Sequence, residues 1–171
     1  MMESMKTFLI PLIISNVVFA ITIIAAFKKP FAARIFYVIL FFWAAYTNYS
    51  TVNADPNVYL EYGNMAILPF YKDFIYGFFS QHTTIIVTVI AGCQFLIGIG
   101  LILNKNWLKL AYSGAIIFGL AIAPLGIGSG FPSTILMAIS CYVLFKNPNC
   151  DYVWKTRQYA QEKRVHIGQI L

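Results

Sequence analysis

Residues 83–103, TTIIVTVIAGCQFLIGIGLIL, decide how this chain is read. The stretch holds no Asp, Glu, Lys or Arg, and at about 1.5 Å of rise per residue it is long enough to cross a hydrocarbon layer of roughly 30 Å. It predicts a transmembrane helix. Near its centre stand Cys93 and Gln94, and an amide in hydrocarbon costs several kcal/mol (roughly 2–7) unless another helix supplies a partner. Gly92, Gly98 and Gly100 remove bulk around Gln94, which lets neighbouring helices approach closely enough to bond to it. This helix is therefore expected to be the hub of a small bundle.

The rest of the chain fits that hub. Sixty per cent of its 171 residues are hydrophobic and eleven per cent are charged, a balance that describes one polytopic membrane domain over 1–171. The net charge of +6 is distributed beside the apolar runs, where Lys and Arg set topology and meet anionic head groups. No nucleic-acid partner is expected from such a pattern. The three cysteines, Cys93, Cys141 and Cys150, form no C-x-x-C pair, so neither a disulfide framework nor a metal site is signalled. His82 at a span entrance and His166 in the tail are badly placed for a haem.

Five spans are predicted, at 7–27, 33–52, 83–103, 107–124 and 131–145, so the fold class is an all-α membrane protein. Arg34, at the start of the second, is placed to reach the head-group layer. The loop 53–82 is the longest polar interruption. Within it Phe70-Tyr71, Phe74-Ile75 and Phe78-Phe79 recur every four residues, which predicts an interfacial helix on the outer surface. Gly126, Gly128 and Gly130 in GIGSGF lack nucleotide-loop spacing and read as a flexible turn. The tail 146–171 interleaves Lys and Arg with aromatics and reads as a basic helix on anionic lipid.

Counting by loop, one side receives Lys28, Lys29, Arg34, Lys105, Lys109 and the five basic tail residues, while the other receives Lys6 and Lys72. The positive-inside rule then places the N-terminus outside and the C-terminus in the cytoplasm, with the cell membrane as the expected location. Asp55, Glu61, Asp73 and His82 gather on the outer side and are the candidates for any acid-base chemistry. Asn16, Trp43, Gln94, Ser113 and Ser140 each fall near the middle of a span. They could act as glue between helices or as the polar contacts of a cofactor or lipid pocket. Apart from Arg34 and Lys109 near the ends, no charged residue enters a span, which argues against ion-coupled transport.

Arg34, Phe41 and Ala44, followed by Gln94-Phe95-Leu96-Ile97-Gly98, resemble the pattern of the DoxX-like family of small four-helix membrane proteins. Val38, Ala45 and Asn48 stand where that family usually has Gly, Gly and Lys, and Gln94 stands where it often has Glu. The resemblance covers about 31–145 and leaves the first span as an addition. It implies an accessory or structural subunit packed against other membrane subunits, with a quinone-linked oxidoreductase complex as the partner. No cofactor is signalled by the residues themselves; quinone is the one that the resemblance leaves open. The competing expectations are a membrane enzyme or a small apolar-solute or lipid binder, with its site at the outer loop and around Gln94.

Overall fold

The computed structural model describes residues 2–147, with side chains from Leu9 onward. Helix α1 spans Met2–Lys28, α2 Pro30–Ala54, α3 Tyr62–Met65, α4 Pro69–Phe74, α5 Ser80–Ile102, α6 Lys105–Ile122 and α7 Ser133–Lys146. Short 3-10 segments lie at Pro56–Glu61 and Ala123–Ser129, and a π-helical turn, Ile75–Phe79, carries α4 into α5. No strand occurs among the described residues. Four runs are long and apolar enough to cross a bilayer: Leu9–Lys28, Pro30–Ala54, Pro69–Ile102 and Lys105–Ser129. The chain is a multi-pass, all-α membrane protein. Helix α7 is apolar but has 14 residues, about 21 Å of rise, which is short for a full hydrocarbon core.

Prolines set the breaks. Lys29 leaves the helical region and Pro30 opens α2, where its missing N–H costs nothing. Pro56 opens the next turn, and the Asp55 carboxylate accepts the Asn57 N–H at 2.9 Å as its cap. Leu68 is extended, as a residue before proline prefers, and α4 starts at Pro69.

The five longer helices close a ring in the order α1, α2, α5, α6, α7, with α7 returning to α1. Neighbours alternate in direction: Arg34 meets Leu101 while Asn48 meets Gln94 on the antiparallel α2 and α5. A ring of five must contain one parallel pair, and it is α1 with α7, where Gly130 lies beside Ser15 and Ser140 bonds to Thr22. The interior is filled by Tyr37, Phe41, Leu101, Leu108, Tyr112, Met137, Cys141 and Leu144. Close approach depends on missing side chains. A Cβ at Gly119 would stand 2.8 Å from the Thr134 carbonyl oxygen, and one at Gly100 would stand 2.8 Å from the Ala111 Cβ. Gly98 makes room for the Phe42 ring, whereas Gly92 faces open space and admits no neighbour.

Two expectations change. The long polar interruption shrinks, because 69–79 is helical and continuous with α5 through the π turn. Its aromatic pairs divide between two adjacent stripes: Ile75 and Phe79 are buried, while Phe70, Phe74 and Phe78 are exposed. The GIGSGF turn is also held, not flexible. Ile67 donates its N–H to the Pro124 carbonyl at 2.9 Å, and Gly126, at φ +71°, lies so close that any Cβ would collide with the Met65 carbonyl oxygen. Expectations for the tail after residue 147, including its basic helix, Cys150 and His166, lie outside the described residues.

Candidate functional site

The last turn of α5 leaves carbonyls that no helical N–H can reach. Arg34 takes them. Its Nε donates to the Leu101 oxygen at 2.7 Å, and its Nη2 donates to the oxygens of Ile102 and Leu103. The residue is 4% exposed, so it does not reach outward to the head groups as its position suggested. A permanent cation with several fixed donors is well matched to the negative end of a helix dipole, and Arg34 fastens α2 to α5.

About four helical turns further along α2, Asn48 meets the central amide. Its Nδ2 donates to Gln94 Oε1 at 2.8 Å, and the Tyr59 hydroxyl donates to Asn48 Oδ1 at 3.0 Å. Gln94 is 2% exposed, so this contact satisfies the amide oxygen that hydrocarbon would otherwise penalise. Burial pushes the Tyr59 and Tyr62 phenols above the usual tyrosine value. The partner of Gln94 is Asn48 and none of the mid-span residues Asn16, Ser113 and Ser140. The signal for Asn48 was its helical phase, since positions 34 and 48 share one face of α2.

The remaining mid-span candidates do not join this network. Ser140 is buried, and its hydroxyl donates to the Thr22 carbonyl at 3.3 Å, on the other side of the ring. Asn16 folds back on its own helix, donating to Leu12 at 2.8 Å, while its Oδ1 is buried without a partner among the described residues. Ser113 is half-buried on α6. Trp43 corrects the expectation most clearly: it is 63% exposed and faces away from the bundle interior, because Phe41 and Ala45 occupy the inward face of that turn. The polar groups form separate pairs, not one layer.

Asp55, Glu61 and Asp73 are exposed and stay apart; no group of three His, Cys, Asp or Glu side chains suited to a metal occurs among the described residues. His82 lies where the helix departs from regular geometry, at φ −129° and ψ 19°. The π turn before it shifts the backbone ladder, and side chains take up the displaced carbonyls. Ser80 donates to Tyr76 and Gly77, Thr83 donates to Phe79, and the His82 Nδ1 pairs with Phe78 at 3.0 Å. The His82 ring also stacks on Phe78, with centroids 4.6 Å apart. A shallow cavity of about 200 Å³ lies between Pro56–Asn57 and the turn at 80–85. Twelve residues separate His82 from Gln94, about 18 Å along the helix, so the acid-base candidates and the central amide are two places.

The chain matches no protein-family model, no curated protein and no solved structure. Its own geometry carries the functional reading.

Proposed function

We propose that this protein is a five-span accessory or structural subunit of a larger membrane complex, with its N-terminus outside and its C-terminus in the cytoplasm. One observation carries this reading: the two buried polar contacts that join α2 to α5 are closed within the chain, although the Tyr37 hydroxyl of α2 is buried without a hydrogen-bond partner among the described residues. Arg34 is occupied by the α5 carbonyls, and Gln94 is occupied by Asn48, which is in turn held by Tyr59. A catalytic pocket needs convergent groups with free valence toward a substrate. Here Asp55, Glu61 and Asp73 are exposed, His82 is half-buried against Phe78, and no three His, Cys, Asp or Glu side chains suited to a metal gather among the described residues.

The five-span count is supported by the parallel run of α1 and α7, which alternating crossings require of the first and fifth helices. A 14-residue α7 completes its crossing with the turn before it and local bilayer thinning. The exposed stripe of Phe70, Phe74 and Phe78 supports placing this segment along the outer membrane surface.

The DoxX-like reading gains a physical argument from its own departures. Asn48 stands where that family usually has Lys, Gln94 stands where it often has Glu, and the two touch at 2.8 Å. Two amides at these positions make the contact without burying an ion. Uncharged groups at this contact favour a supporting role over proton-linked chemistry. A quinone-linked oxidoreductase is the complex that the resemblance points to.

The experiment is purification from native membranes in mild detergent. Stoichiometric co-migration with larger subunits is expected. An isolated chain carrying quinone or lipid, lost on Gln94→Leu, would favour the binding protein instead.

A further inference from the structure

The ring has a basic end, where α1 finishes, α2 starts and α6 meets the last turn of α7, and this end carries lysines with no carboxylate beside them among the described residues. Arg34 is occupied by α5, but Lys28, Lys29, Lys105, Lys109 and Lys146 are exposed. The carboxylates with described side chains, Asp55, Glu61 and Asp73, all lie toward the opposite end. Two of the lysines share one rim, because α6 and α7 run antiparallel and Lys109 lies over Phe145, the residue before Lys146. Lys109 Nζ stands 5.9 Å from the Phe145 ring centroid, and Lys146 Nζ stands 5.5 Å from that of Tyr142. Like charges gathered this way repel each other unless a counter-charge joins them. Along the membrane-facing side of the same two helices, Leu110 and Ile139 are exposed at 63% and 46%.

We propose that the Lys109 and Lys146 rim binds the phosphate of an anionic phospholipid from the leaflet at the basic end. Ammonium groups on flexible stems suit a phosphate whose depth is set by the bilayer, since they act as point charges without a fixed fork. Tyr142 and Phe145 support the lysine stems at the level where aromatic rings are stable between oil and water. The apolar α6 and α7 surface beyond the lysines receives the acyl chains, which commits the site to a lipid over a free phosphate.

The test uses the full chain in nanodiscs of phosphatidylcholine, with and without phosphatidylglycerol, reading bound lipid by native mass spectrometry and folding by thermal melting. Wild type should retain phosphatidylglycerol preferentially. K109Q/K146Q should reduce that retention by about 30-fold while melting normally in phosphatidylcholine. K28Q/K29Q removes the same charge elsewhere at this end and should leave retention largely intact, and K109R/K146R should restore it. If the double variant fails to melt cooperatively, K109Q and K146Q singly should each cost about fivefold. Equal losses from both glutamine pairs would reduce the site to diffuse surface charge and overturn the proposal. Competition by inorganic phosphate as strong as by lipid would overturn the assignment to a phospholipid.

Discussion

At the basic end, α5 passes to α6 with only Leu103 and Asn104 between them, and one buried arginine finishes the joint. At the acidic end, the stretches 55–79 and 123–132 build a cap from short helices, a π turn and close backbone contacts. The first end solves its orphan carbonyls with a charged side chain; the second uses backbone packing and hydroxyl back-bonds. The difference teaches where each kind of substitution should hurt. Charge and donor number matter at one end, and space and backbone angle matter at the other.

The largest effect is expected at Arg34. Arg34→Met leaves the carbonyls of Leu101, Ile102 and Leu103 without their donors and should destabilise the bundle by roughly 3 kcal/mol, read by unfolding in one detergent. Arg34→Lys should recover only part of this, because one ammonium cannot reproduce donors spread over Nε and Nη2. Full recovery by Lys would show that charge alone closes this end.

Gly126→Leu tests the opposite end. Its positive φ and the adjacent Met65 carbonyl make any side chain strained, with an expected cost of about 1–3 kcal/mol. The loss should be local. Protease should cut the 55–79 cap faster while the joint between α5 and α6 stays protected; equal exposure of both ends would show that they do not close independently.

Between the ends, Gln94→Leu should cost about 0.5–2 kcal/mol, since it leaves the Asn48 Nδ2 without its acceptor while Tyr59 still holds the Asn48 Oδ1. The bundle should persist, with the content of extracted quinone and lipid unchanged. The smallest effect concerns the exposed aromatic stripe. If the exposed rings lie on the membrane surface as proposed, Phe74→Asp with Phe78→Asp should weaken protease protection of 69–79 more than Lys72→Asp does. Equal effects would detach this segment from the bilayer.

The sequence made some of this plain and hid the rest for definable reasons. The apolar run 83–103 with Gly98 and Gly100 announced a spanning helix and its close contacts, because hydropathy and side-chain volume are local properties. Gln94 announced that it needed a partner, yet not which one, since pairing depends on the register between α2 and α5. Arg34 was misplaced for the same reason: a cation near a helix end can reach outward to lipid or inward to a neighbour's carbonyls, and only the antiparallel contact decides. Trp43 was assigned by depth alone, which ignores helical phase. The 69–79 helix was legible in its four-residue period, but the π turn that joins it to α5 leaves no comparable mark in composition.

The central claim is that the two ends face opposite sides of a membrane crossed five times. Single-cysteine labelling in intact and permeabilised cells tests it, with native Cys93, Cys141 and Cys150 replaced by Ser. Cysteines at Glu3 and Glu61 should react with an impermeant reagent in intact cells, whereas cysteines at Asn104 and Val165 should react only after permeabilisation. Labelling of positions 3 and 165 from the same side would contradict the five-span account.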